Sequence, residues 1–312
     1  MAPTDEFGGV RLYRGDCLDL LRELPAESVD LIATDPPYFG VKADDWDNQW
    51  DTADDYLAWM RGLCDEWQRV LKPNGSLYVF ASPRMAARVE CVIAGRFNVV
   101  NSITWQKDFP CGALKYGPEN FRGYVEMCER IIFAEQDNTL GLTLKDRRMA
   151  AGLPAKELAA MFPSRTGGLT GCLSNWERGN NIPTREQWVA LSGRLDLPGY
   201  DEAVRPFSVT LAGPYSDVWT YKPVEQARLT HPCEKPLAMM RHIVRASSRP
   251  GAVVLDCFMG SGTTGVACLM EDRQFVGVER DPTHYATALK RLQHADGAGS
   301  LFDPKQLTLT DG

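Results

Sequence analysis

Apolar side chains gather in six short runs, at residues 29–34, 76–81, 99–105, 130–134, 252–256 and 274–279, each of strand length. Between several of them apolar positions recur every three or four residues, as over 54–71 and 262–270, which predicts helices with one buried face. Strands alternating with helices predict an α/β fold, a mainly parallel sheet covered on both sides. Lys72-Pro73-Asn74-Gly75 is expected to end a helix and turn the chain into the next strand.

The rhythm breaks in the middle. Over 136–207 the strand pattern disappears and helical segments follow one another, at 143–151, 155–162, 169–178 and 184–195. Pro154, Pro183 and Pro198 stand where a helix would start or has stopped. The expected organisation is therefore a first α/β half over 1–135, a helical insert over 136–207 and a second α/β half over 208–295. A loosely held tail follows over 296–312.

Composition narrows the class. The 312 residues are 44% hydrophobic and 24% charged, ordinary for a soluble globular chain, and no apolar run approaches a membrane span. The acidic N-terminus lacks the basic and apolar regions of a signal peptide, so a cytoplasmic location is expected. Nine scattered cysteines without a Cys-x-x-Cys pair argue against a disulfide framework or structural zinc. Four histidines, no two spaced to share a helix face, predict no metal centre. The net charge of −7 is uneven: residues 101–250 carry 19 basic and 16 acidic side chains, whereas residues 1–100 carry 10 and 17. A phosphate backbone would favour the middle of the chain, although such a fluctuation can also arise by chance.

Two motifs carry chemistry. Asp35-Pro36-Pro37-Tyr38 closes the first apolar run. Its prolines fix φ and remove backbone donors, leaving the Asp35 side chain and the Pro36 carbonyl as acceptors beside the flat ring of Tyr38. That set suits a planar amino group attached to a ring. Far downstream, the run ending at Asp256 enters Phe258-Met259-Gly260-Ser261-Gly262-Thr263 and then a helix, and the next strand ends at Glu279. This is the pattern of a nucleotide-binding βαβ unit with an acid placed for ribose hydroxyls. It lacks the Gly-Lys-Ser/Thr of a phosphate loop, which fits S-adenosylmethionine better than a dinucleotide.

Together the two motifs resemble those of the β group of amino-group DNA methyltransferases. Arg14-Gly15-Asp16-Cys17, Val70-Leu71-Lys72-Pro73-Asn74-Gly75 and His231-Pro232-Cys233-Glu234-Lys235-Pro236 extend the resemblance over about three quarters of the chain. It implies a Rossmann-like S-adenosylmethionine-dependent methyltransferase fold with permuted motif order, and N6 of adenine in double-stranded DNA as the target. Asp35 and Pro36 would accept the amino hydrogens and Tyr38 would stack on a base flipped from the duplex, with Pro37 completing the clamp. Phe258, Gly260, Ser261, Gly262 and Thr263, with Asp256 before them, would line the cofactor site. Glu279 would hold the ribose, Asp16 the adenine amino group, and Lys235 with His231 the cofactor's carboxylate. Trp105 and Lys107 occupy the position where the family carries residues near the flipped base, though Trp105 also reads as core. A homodimer is a further implication.

Within the insert, Leu173-Ser174-Asn175-Trp176-Glu177-Arg178-Gly179 resembles the third helix of Cro/repressor-type helix-turn-helix domains, and Ala155-Lys156-Glu157-Leu158-Ala159-Ala160-Met161 their second. Ser174, Asn175 and Arg178 would then meet DNA, with Thr170 one turn earlier. The turn over 163–168 is longer than in that fold. A unit that only buttresses the catalytic domain or forms a dimer contact is the other reading. N4-cytosine methylation and a catalytically silent DNA-binding regulator also remain open.

Overall fold

A computed structural model describes residues 2–40, 49–107, 122–136, 139–208, 216–224 and 234–298. The chain opens with strands β1 (Asp5–Phe7) and β2 (Val10–Arg14), helix α1 (Cys17–Glu23) and strand β3 (Val29–Thr34). It continues through α2 (Ala53–Val70), β4 (Leu71–Ala81), α3 (Ala86–Ala94), β5 (Asn98–Gln106) and β6 (Cys128–Glu135). Five helices follow, α4 (Thr139–Ala150), α5 (Ala155–Ala159), α6 (Cys172–Glu177), α7 (Arg185–Ser192) and α8 (Tyr200–Ala203). The last part holds β7 (Val218–Trp219), α9 (Leu237–Ser247), β8 (Val253–Asp256), α10 (Thr263–Met270), β9 (Gln274–Glu279) and α11 (Pro282–Ala298).

The nine described strands form one sheet in the order β1-β2-β9-β8-β3-β4-β6-β5-β7. It is parallel except where β1 meets β2 and where β6 runs against both neighbours. Alternation along β3 explains the layers. Ile32 faces the core built with α1, α2 and α3 (Leu20, Tyr56, Met60, Trp67, Val89, Ile93). Leu31 and Ala33 face the one built with α9, α10 and α11 (Met239, Ile243, Ala267, Leu292). A strand buried on both sides must read as a continuous apolar run, as this one does.

Lys72-Pro73-Asn74-Gly75 is not a free turn: Leu71 already pairs with Val29 and Ser76 with Leu31, so the four residues bulge out within β4. Helix α11 continues to Ala298, past the expected start of the tail, and the tail's residues 299–312 lie outside the described ones.

The insert has its own small core of Leu144, Leu158, Leu173, Trp176, Leu191 and Leu195. It is tied to the end of the sheet where β4 and β8 begin. Asn74 Nδ2 donates to the Asp201 carbonyl at 3.0 Å, and Arg249 donates to the carbonyls of Asp201 and Val204 at 3.1 and 3.0 Å. Arg205 pairs with Glu135 at the carboxyl end of β6. A cleft of about 630 Å³ marks this seam, lined in part by Asp30, Lys72, Asn74, Asp201 and Arg249.

Candidate functional site

Strands β3 and β8 are neighbours, and the chain leaves them in opposite directions, toward β4 on one side and β9 on the other. Such a reversal opens a crevice beyond the carboxyl ends of the two strands. Asp35 follows β3 there and Asp256 ends β8, on the sheet edge opposite the insert's seam.

Asp256 lies under the glycine turn rather than facing the crevice. Its Oδ1 accepts from Thr34 Oγ1 at 2.9 Å and from Phe258 N at 3.1 Å, and its Oδ2 from Thr264 Oγ1 at 2.6 Å. It was expected to line the cofactor site; buried to 4% exposure and bonded at both oxygens, it instead joins β3 to β8 and to α10. Burial pushes its carboxyl up to about 6 despite those bonds, with the nearby Asp35 charge also raising it.

The clamp belongs to a network of four charged side chains. Tyr38 donates its hydroxyl to Asp35 Oδ1 at 2.7 Å. Lys235 Nζ binds Asp35 Oδ2 at 2.6 Å and Glu129 Oε2 at 3.0 Å, and Tyr38 also reaches Glu129 Oε2 at 3.3 Å. Lys107 pairs with the other oxygen of Glu129. The rings of Phe80, Tyr38 and Trp105 surround the Lys235 ammonium at 4.9, 5.7 and 6.0 Å. Burial drives the Asp35 carboxyl above its ordinary value, against Lys235 and with help from the Glu129 charge. Burial pushes Glu129 up as well, but Lys235 and Lys107 outweigh it and hold its carboxyl at about 2.

Two expectations change here. Lys235 was expected at the cofactor's carboxylate; it meets Asp35 and Glu129 because an ammonium left 8% exposed needs buried counter-charges. Trp105 is 2% exposed, donates Nε1 to the Tyr221 carbonyl at 2.7 Å and lies under the Lys107 ammonium, so it forms a wall rather than an open stacking face. Glu129 escaped the sequence reading. The available signal was its position: an acid heads the apolar run of β6, and β6 is antiparallel, so its first residues reach the same edge as the ends of the parallel strands.

On the other side of the crevice, Glu279 Oε2 accepts from Gly260 N at 3.1 Å and Oε1 from Asp281 N at 2.8 Å. Burial raises its carboxyl. Gly262 caps α10 at φ +79°, and a Cβ there would stand 3.2 Å from Ala288, so both backbone and packing require glycine. Asp16 caps α1 by accepting from Leu18 N at 2.8 Å, while Gly15 N binds the Glu279 carbonyl, which sets Asp16 beside Glu279. Phe258 is half-buried against Trp59 at 5.7 Å. Ser261 and Thr263 share a hydroxyl contact at 3.3 Å, and Arg291 bridges the Ser261 carbonyl and Glu234. Two carboxylates, an aromatic ring and a glycine turn without bulky side chains are the acceptors and surface that a nucleoside needs, so the residues present fit S-adenosylmethionine. His231 lies outside the described residues.

The insert's candidates are only partly open. Ser174 and Arg178 are exposed and Asn175 is half-buried on α6. This helix is shorter than expected and begins at Cys172, so Thr170 precedes it. The Thr170 hydroxyl is taken by the Phe162 carbonyl at 2.9 Å, which removes it from the expected reading face.

The chain matches the N6_N4_Mtase family, described as DNA methylase, over residues 29–290. It is 28% identical over 288 residues to the DNA adenine methyltransferase YhdJ of Escherichia coli (strain K12), across 91% of this chain and 83% of the relative. Among solved structures, the M1.HpyAVI–SAM complex aligns with a TM-score of 0.54 at 21% identity, over 91% of this chain and 98% of the other. The cytosine-N4-specific PvuII DNA methyltransferase aligns at 0.58 with 15% identity, over 96% and 95%. These two likenesses are of fold.

Proposed function

The chain belongs to the DNA methylase family and is an S-adenosylmethionine-dependent DNA methyltransferase, and within that class we propose that it methylates the N6 amino group of adenine in double-stranded DNA. The observation carrying this reading is the Asp35 carboxylate at the crevice, held between Tyr38 and Lys235 and joined through Thr34 and Asp256 to the glycine turn. Its similarity to a relative named as an adenine methyltransferase supports adenine over cytosine.

The cofactor, when bound, supplies an electrophilic methyl group. Everything else falls to the protein. The lone pair of an adenine amino group is delocalised into the ring, so it is a weak nucleophile. Asp35 and the Pro36 carbonyl would accept its two hydrogens and turn the lone pair toward the methyl donor. The nitrogen would gain positive charge as it takes the methyl and the donor's sulfur–methyl bond breaks. The Asp35 carboxylate would stabilise that charge, and one amino hydrogen would then leave as a proton to solvent. Tyr38 would contribute its ring face to the flipped base. Glu279 and Asp16 would take hydroxyl and amino hydrogens of the cofactor, with Phe258 against its nucleoside. No covalent enzyme intermediate is required.

The helical insert is part of the proposal as a DNA-contacting unit of helix-turn-helix type. Exposed Ser174 on α6 and Arg178 at its carboxyl end support it. A homodimer and a cytoplasmic location accompany this reading.

The test is direct. Duplex DNA is incubated with the protein and S-adenosylmethionine, digested to nucleosides and analysed by mass spectrometry. N6-methyladenosine in its deoxy form is expected, and it should vanish with Asp35→Ala while cofactor binding persists. Recovery of N4-methylcytosine alone would overturn the adenine assignment, and no methylated base at all would favour a silent regulator.

A further inference from the structure

Both oxygens of Asp35 are already engaged. Oδ1 takes the Tyr38 hydroxyl at 2.7 Å and Oδ2 takes the Lys235 ammonium at 2.6 Å. Each oxygen could still accept a further hydrogen, but an incoming amino group would have to share the carboxylate with these donors, and an ammonium held this close neutralises its charge. The ammonium is the greater obstacle, because a positive charge on Asp35 would repel the charge that develops on the methylated nitrogen. Expelling it unpaired would leave an uncompensated charge in a buried site, a strongly unfavourable outcome.

Glu129 removes that difficulty. Its Oε2 lies 3.0 Å from the Lys235 ammonium and 3.3 Å from the Tyr38 hydroxyl, the same two donors that occupy Asp35. Lys107 holds its other oxygen, and Glu129 pairs across the sheet with Trp105, so Oε2 is kept turned toward the clamp. Because Lys235 already touches both carboxylates, it can pass from one to the other by a small shift within its aromatic surround. No proton is transferred.

We propose that Glu129 is a positioning residue that receives the Lys235 ammonium, and with it the Tyr38 hydroxyl, when the target amino group takes their place on Asp35. This rests on the reading of Asp35 as the acceptor of that amino group. Glu129 then acts through Lys235 and touches no reacting atom.

Single-turnover methyl transfer is measured for wild type, Glu129→Gln, Lys235→Met and the double variant, with Asp35→Asn as the control on the underlying reading. Glu129→Gln should lose about 10²-fold in rate, as for a misplaced reacting group, while binding of S-adenosylhomocysteine is unchanged. Its rate should also fall away at lower pH than in wild type, because the Glu129 charge helps to raise the Asp35 carboxyl; general misfolding would lower the rate without moving that limb. In the Lys235→Met background the Glu129 substitution should add little, since no ammonium remains to be received. Wild-type rate and pH limb in Glu129→Gln, or losses that simply add, would overturn the proposal while an inactive Asp35→Asn left the reading of Asp35 intact. An active Asp35→Asn would remove both. Should Glu129→Gln fail to fold, a crystal structure of wild type with target duplex and S-adenosylhomocysteine decides: Lys235 on Glu129 and off Asp35 supports the proposal, and Lys235 still on Asp35 overturns it.

Discussion

Thr34 and Asp256, 222 positions apart in the chain, share a buried hydrogen bond of 2.9 Å at the centre of the sheet edge. The Thr34 hydroxyl also accepts from Cys257 N at 3.2 Å, so one side chain ties the strand carrying the clamp to the strand carrying the glycine turn. Thr34→Val keeps the shape and removes both bonds, leaving buried polar groups unpaired. It should lower stability by about 1–3 kcal/mol, read by urea denaturation, and weaken cofactor binding. An unchanged midpoint would show that the two strands are registered without this bond.

Asp256 gives a prediction in pH. Its folded carboxyl titrates near 6, above its ordinary value, so the folded state holds the proton more tightly than the unfolded chain. The stability it contributes is therefore greatest at low pH and is lost as pH rises through about 6. Asp256→Asn cannot titrate. The stability of wild type relative to Asp256→Asn should fall between pH 4 and pH 7 by on the order of 3 kcal/mol. Denaturation of both proteins at the two pH values measures it, and a constant difference would refute it.

Lys235 lowers the Asp35 carboxyl more than any other neighbour does. An Asp35 that must be ionised to accept amino hydrogens loses activity as pH falls through its folded value. Lys235→Met should move that acid limb to higher pH, the opposite direction from Glu129→Gln. Tyr38→Phe should move it the same way by less, since the Tyr38 hydroxyl is a smaller stabiliser of the ionised form. The pH profile of single-turnover transfer is the measurement.

Glu279 supports the glycine turn through Gly260 N and its own strand end through Asp281 N. Glu279→Ala should weaken S-adenosylmethionine binding by about 10- to 100-fold, the size expected for lost hydrogen bonds to a charged group. Calorimetric titration reads this directly, and Glu279→Gln should recover part of the loss because it keeps one acceptor.

Trp176 is 2% exposed in the core of the insert and meets Phe162 edge-on at 5.2 Å. Trp176→Ala should destabilise that core by about 3–5 kcal/mol. Because the insert's core is distinct from those of the sheet, limited proteolysis should cut within 139–204 while the α/β body survives. Cleavage spread evenly through the body would show one cooperative unit instead.

The strands that build the crevice were legible because β3, β8 and β9 are buried and read as apolar runs. The short β1 and β2 were missed: their pairing rests on the Gly8-Gly9 turn, both residues at positive φ, rather than on apolar length. Motif spacing put Asp35 and Glu279 at strand ends, where they stand beside the crevice, but did not show the partners that Lys235 and Asp256 take. A spacing identifies residue types, whereas the counter-charge a lysine selects depends on which strands lie side by side. Glu129 was hidden for the same reason, since only the reversed direction of β6 brings it to the clamp. The edge on which the insert docks was likewise unreadable, because it too follows from where β6 ends.

That docking edge sets a scale. A strand of six residues such as β3 spans about 17 Å, so the insert's seam and the clamp stand at least that far apart. Seventeen ångströms is about five base-pair steps, half a turn of duplex. Under the proposed reading, in which Ser174 and Arg178 contact DNA, oligonucleotide length becomes a means of separating the two ends of the protein: short DNA tests Asp35 alone, and only a duplex extending past the clamp by that span would also reach the insert's seam.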